Sequence, residues 1–269
     1  MKKVFVASLT TLLGVVLTIA SCKKPELDTE TQSSVDNAIC EAEFAKIVPS
    51  ANDNAVKQPG AKKTETGGCA TVTIGDTTLL AWPRVMTILY DTASGCVGND
   101  QKVRKGRIVI SLNRRWGVPH PTNPLATITL VDYYVNGIKF EGTMTVYKPA
   151  LNKFRTVLQN GKCSNNSWNM SWNCDRTTTV NYAAGTDSVA TIQIDGDADG
   201  VNRKGVAYTA NIISSLIKPV DCKWFTSGVL DLKPDGKSTR TIDYSVGGGG
   251  CDSKASLTIN GNSFEFDMD

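Results

Sequence analysis

The chain has 269 residues, a formal net charge of +3 and a single histidine. A charge this close to neutral provides no field to attract nucleic acid, and one imidazole excludes a zinc site built on several histidines. Eight cysteines make the redox compartment the first question.

Lys2 and Lys3 precede an apolar run over residues 4–19, broken by Ser and Thr. Small residues and a cysteine follow. This is the layout of a secretory signal peptide, too short to span a membrane comfortably. The ending Ile19-Ala20-Ser21-Cys22 resembles the lipobox of bacterial lipoproteins. That resemblance implies cleavage after residue 21, diacylation of Cys22 and acylation of the new amino terminus. Two or three acyl chains make a stable anchor where one is marginal. Position 23 is Lys rather than Asp, which by the lipoprotein sorting rule favours the outer membrane, on its periplasmic face or the cell surface. Removing residues 1–21 takes away Lys2 and Lys3 and no acid, so the net charge falls from +3 to +1. No later stretch approaches the roughly 18 apolar residues of a spanning helix.

Residues 22–32 are polar and contain Pro25, which reads as a flexible tether. Within 33–68 a short helix comes first. Ser33-Ser34-Val35-Asp36 has the form of a capping box, Cys40, Phe44, Ile47 and Val48 share one face, and Pro49 is expected to end it. Residues 50–68 read as a linker. From Cys69 to the end the chain is expected to be all-β. Ile138, Phe140, Gly142, Met144 and Val146 alternate with polar residues, and Asn136-Gly137 before them suits a type I′ turn. Asn260-Gly261, Asn160-Gly161 and Asp235-Gly236 are further turn signals. A dozen or so strands with short connections predict an antiparallel meander closing as a sandwich, barrel or bent sheet.

A weak internal echo relates residues 103–108 to 202–207, and 87–96 to 241–251, which suggests two related β units at about 69–147 and 200–269. The same register pairs Cys69 with Cys96 and Cys222 with Cys251. Cys163 and Cys174 are then placed to pair across a hairpin, leaving Cys40 as a buried, inert thiol. Spacing alone does not fix this connectivity.

A wider resemblance rests on Asp36-Asn37-Ala38-Ile39-Cys40-Glu41, Gly95-Cys96, Arg104-Lys105-Gly106-Arg107-Ile108, Tyr133-Tyr134-Val135-Asn136-Gly137 and Thr239-Arg240-Thr241-Ile242-Asp243-Tyr244. These stretches are similar to a group of uncharacterised lipoproteins of Bacteroidota. The group implies an outer-membrane or surface address and a β-rich fold, and it implies no activity.

Three features carry candidate chemistry. Asp195, Asp197 and Asp199, with Gly200 at the sixth position, match the opening of a Ca²⁺ loop, but Val206 stands where the bidentate Glu belongs. A polar hairpin turn is the alternative. Trp168 and Trp172, on one face of a strand, are suited to stacking on a sugar or a protein partner, or to plugging one end of the core. His120, between two prolines, reads as a solvated loop residue, and no Gly-x-Ser-x-Gly accompanies it. The expectation is a non-enzymatic binding or structural module, with no cofactor unless Ca²⁺. The alternative is a carbohydrate-active hydrolase that uses carboxylates alone.

Overall fold

The computed structural model describes residues 28–55, 63–64, 70–75, 82–90, 94–98, 101–186 and 189–268. One helix, α1 (Gln32–Ala55), precedes fifteen strands. They are β1 (Lys63–Thr64), β2 (Ala70–Ile74), β3 (Arg84–Tyr90), β4 (Cys96–Val97), β5 (Val103–Leu112), β6 (Ala126–Val135), β7 (Ile138–Ala150) and β8 (Lys153–Ser164). β9 (Asn169–Tyr182), β10 (Val189–Val201), β11 (Ala207–Pro219), β12 (Ser227–Pro234), β13 (Arg240–Asp243), β14 (Lys254–Ile259) and β15 (Asn262–Asp267) complete the set. Consecutive strands pair antiparallel in one sheet from β1 to β15, except that β3 pairs with β5 and the short β4 lies off the path on β5. The expected all-β meander is therefore a bent, unclosed sheet. It runs unbroken through both echoing regions, and residues 103–108 lie in β5 whereas 202–206 form the turn between β10 and β11.

Asn136-Gly137 and Asn260-Gly261 form the tight turns their sequence requires, with φ of 48° and 79° in the first pair and 51° and 79° in the second. Asn160-Gly161 differs from expectation, because it lies inside β8 where the register to β9 slips between Leu158 and Gly161. The reason is close approach: a Cβ on Gly161 would stand 1.9 Å from the Trp172 carbonyl oxygen. Such bulges bend a strand and increase its twist. Similar slips occur in β5 between Lys105 and Arg107, in β7 between Glu141 and Thr143, and in β10 between Ile194 and Asp197.

The bends curl the sheet around α1. Glu43 of α1 reaches Arg104 of β5, while Glu30, just before the helix, reaches Arg240 of β13. Eight inter-strand steps would separate β5 from β13 by about 38 Å in a flat sheet. Thirteen residues of helix span only about 20 Å. Both contacts exist because the open sheet curls around the helix. Cys40, Phe44, Ile47, Val48 and Ala51 form one buried cluster with Met86, Ile108, Met144, Trp172 and Leu232 of the sheet.

Two expectations about the helix are corrected. The cap is not supplied by Ser33 and Asp36: the Ser33 N–H donates to Glu30 Oε1 at 2.9 Å, and Asp36 turns to the sheet. Pro49 does not end the helix, which continues to Ala55. A proline inside a helix forfeits one hydrogen bond. Here the turn beyond it is held by the fully buried Ala51 and by a hydrogen bond from Trp116 Nε1 to Asn52 Oδ1 at 2.8 Å.

Candidate functional site

The described residues hold their densest polar chemistry between α1 and the sheet. Helix residues Asp36, Asn37, Glu41 and Glu43 are buried, and each finds a partner on the sheet or on a turn between its strands. Arg176 of β9 clamps Glu41 with two hydrogen bonds, Nε to Oε1 at 3.2 Å and Nη2 to Oε2 at 2.6 Å, and its Nη1 donates to the Gly196 carbonyl at 2.5 Å. Both side chains are about 95% buried. Glu43 accepts from Lys102 and Arg104, and Asp36 accepts from Arg203 Nε at 2.7 Å and Arg203 N–H at 2.7 Å. Asn202 Nδ2 donates to Ser33 Oγ at 2.9 Å. Charges taken out of water need this degree of pairing.

The same pattern continues ahead of the helix. Fully buried Arg240 donates to the Glu30 carbonyl at 2.9 Å through Nε and to Asp28 Oδ1 at 2.5 Å through Nη2. The expected tether over 22–32 is therefore anchored from Asp28 onward, where Asp28 and Glu30 meet the buried Arg240. Arg240 holds the Asp28 carboxyl down to about 2, from an ordinary 3.8. A depressed carboxylate stabilises the fold fully above its unfolded pKa and loses that contribution as pH falls toward 2.

Trp172 points into this interface and not to solvent. Its ring stacks on Phe44 at 5.4 Å, and its Nε1–H donates to Asn37 Oδ1 at 2.9 Å. Trp168 lies in the β8–β9 turn, half-buried, with the Arg203 guanidinium 4.0 Å from its ring centroid. The two tryptophans therefore plug and cover the inner face. They present no paired stacking platform.

The cysteines depart from expectation in one place. Cys222 and Cys251 are bonded, with Cα atoms 5.6 Å apart. Cys96 is also disulfide-bonded, while Cys69 lies outside the described residues. Cys163 and Cys174 are not bonded: Cys163 is opposite Met170 and Cys174 opposite Leu158 in the β8–β9 register. Four residues along a strand separate them by about 13 Å, beyond the roughly 7 Å that a disulfide tolerates. Burial pushes the Cys174 thiol up to about 12, with the Glu41 carboxylate adding to the effect. Cys40 is buried as expected, and its thiol is raised by desolvation and by Cys163, whose Sγ lies 3.0 Å away.

The acidic stretch is strand, not turn. Residues 195–200 lie in β10, and Gly196 at φ 111° sits at its bulge. Asp195 accepts from Ser215 Oγ and from Gln193 Nε2 at 3.1 Å, and Asp199 accepts from Asn173 Nδ2 at 3.1 Å. Alternate strand residues are spaced by about 6.7 Å, whereas a Ca²⁺ loop must fold its oxygens onto one point. Among the described residues no group of three or more His, Cys, Asp or Glu side chains gathers to hold a metal ion.

His120 is not a free loop residue. Its N–H donates to the Lys148 carbonyl at 2.7 Å, and its Nδ1 is buried without a hydrogen-bond partner. Lys148 is buried, with its Nζ 3.9 Å from the Phe154 ring centroid and, among the described residues, no carboxylate paired with it. Desolvation lowers its ammonium from 10.5 to about 8. A base depressed in the fold binds fewer protons there than when unfolded, so stability should rise as pH climbs from about 8 to 10.5. Lys148→Met is expected to melt higher than the parent at pH 7 and to lose that alkaline rise. Melting curves from pH 7 to 10 check both points.

Cavities follow the same logic. The space under α1 beside Glu41, Phe44, Trp172 and Arg176 is about 20 Å³, room for about one water. A wider, open depression of about 440 Å³ lies at the end where α1 begins, lined by Asn160, Lys162, Asn169, Ser171, Asn202 and Arg203 among others.

Sequence reasoning missed the ion-paired interface. One signal was present: Arg176 has the same strand parity as Met170, Trp172 and Cys174, which marks it as inward-facing. Residues 1–27, which hold the expected leader and Cys22, lie outside the described residues. No described helix is long and apolar enough to cross a membrane. Comparison with family models, curated proteins and solved structures returned no match.

Proposed function

We propose that the chain is a lipoprotein of the bacterial outer membrane, acylated at Cys22, whose folded part is a non-enzymatic binding or structural module. The observation that carries this reading is the occupied inner face. A curved sheet ordinarily offers its hollow to a ligand or substrate. Here α1 fills that hollow, and its carboxylates Asp36, Glu41 and Glu43 are held by Arg203 of the β10–β11 turn, by Arg176 and Arg104 of the sheet and by Lys102. Carboxylates locked this way are poorly placed to exchange protons with a substrate, as glycoside hydrolysis demands. Binding of a carbohydrate or protein would then use the outer face of the sheet or the open depression near Trp168.

The resemblance of residues 19–22 to a lipobox supplies the anchor. Cys22 is about six residues from Asp28, a reach of at most roughly 20 Å. Arg240 pins Asp28 to the sheet, so the end bearing the 202–206 and 235–239 turns would lie close to the bilayer.

The test is fractionation of the full-length protein and Cys22→Ser. The parent is expected in the membrane fraction after a high-salt wash, and the variant in the soluble periplasmic fraction. Equal membrane retention of both would remove the lipid anchor from the account. Release of new reducing ends from a polysaccharide panel by the purified parent would overturn the non-enzymatic part.

A further inference from the structure

We infer that Cys40 of α1 and Cys163 of β8 form a disulfide that fastens the helix across the inner face of the sheet. The two Sγ atoms are 3.0 Å apart, and both residues are fully buried. That separation is within the contact distance of two sulfur atoms and about 1 Å longer than the bond itself. The helix already brings the pair together through its neighbours. Asn37, about one turn before Cys40, is bonded to Trp172, and Glu41, the next residue after it, to Arg176. Among the described residues Cys174 does not compete for Cys163, since it is out of register with it.

The reaction needs an oxidant of the disulfide class, such as glutathione disulfide or an oxidised dithiol protein. One cysteine thiolate attacks that disulfide and expels a thiolate, leaving a mixed disulfide. The second cysteine then loses its proton, displaces the remaining external thiolate and closes the Cys40–Cys163 bond. Two thiols are oxidised, one external disulfide is reduced to two thiols, and two protons pass to solvent or to the released thiolates. In the folded protein the pair is shielded from such a reagent, so the bond forms while α1 is docking. Exported proteins fold where such oxidants are present. The consequence is mechanical. Cys40 follows Cys22 by fewer than twenty residues in the sequence, so the crosslink ties the segment nearest the proposed anchor directly to mid-sheet.

The experiment uses the full-length protein, expressed with its leader and taken from the membrane or periplasmic fraction. It is alkylated in denaturant without reduction, digested and mapped by mass spectrometry. The expected result is a linked pair of peptides carrying Cys40 and Cys163, with Cys174 the one of these three that is alkylated. Alkylation of both Cys40 and Cys163, or a Cys163–Cys174 link, overturns the inference. Cys174→Ser guards against rearrangement during handling: the Cys40–Cys163 link must persist in it, and its loss there also overturns the inference.

Discussion

Arg176→Met is expected to destabilise the protein by about 3–5 kcal/mol, because it leaves the Glu41 carboxylate buried with no countercharge. Arg176 donates to both Glu41 oxygens and to the Gly196 carbonyl, so one substitution undoes the helix contact and a strand contact together. The double variant Arg176→Met with Glu41→Leu is expected to recover most of the loss, since an apolar pair of similar volume often replaces a buried ion pair without penalty. Urea unfolding of the two variants and the parent checks this. A single variant within about 0.5 kcal/mol of the parent, the range of an ordinary surface change, would mean that α1 does not bury the pair.

Trp172→Ala should be comparably severe, about 3–5 kcal/mol, the usual range for deleting a large buried aromatic. The ring is 1% exposed and stacks on Phe44, which in turn meets Phe140 edge-on at 5.6 Å. Trp172→Phe separates the two contributions. It keeps an aromatic face against Phe44 and removes only the donor to Asn37 Oδ1. That buried acceptor then goes unsatisfied, at about 1–3 kcal/mol. A graded series, with Ala worse than Phe and Phe worse than parent, is the expected melting order. Were Trp172 a ligand platform, both variants would fold as the parent does and lose only binding.

Local chemistry made most of the sheet legible. The alternation through β7 and the Asn-Gly pairs at 136–137 and 260–261 depend on neighbouring residues, and each took its expected place. Asn160-Gly161 misled because the same positive-φ preference serves a bulge as well as a turn. Which one forms depends on β9 crossing at Trp172, a contact remote in sequence. The acidic triplet misled for a related reason. Asp and Gly favour turns, yet Asp195 and Asp199 find hydrogen-bond partners on strands β11 and β9 that only the tertiary fold supplies. Pro49 was outvoted by burial on either side of it. Cys163 shows the limit most plainly: hairpin spacing offered Cys174, whereas the helix, more than a hundred residues upstream, delivered Cys40.

These corrections converge on α1. Around a space of only about 20 Å³ beside Glu41, Phe44, Trp172 and Arg176, the buried carboxylates, the stacked tryptophan, the paired sulfurs and the pinned Asp28 all bind α1 and the residues just before it to the sheet. Amide hydrogen exchange of the full-length protein, resolved to residues 32–55 and compared with β7 to β9, tests that claim most directly. The account predicts that α1 is protected to the same degree as those central strands, opening only with global unfolding. Exchange in α1 that is orders of magnitude faster than in the strands would contradict it. It would make the helix a movable cover and return the inner face of the sheet to the list of binding surfaces.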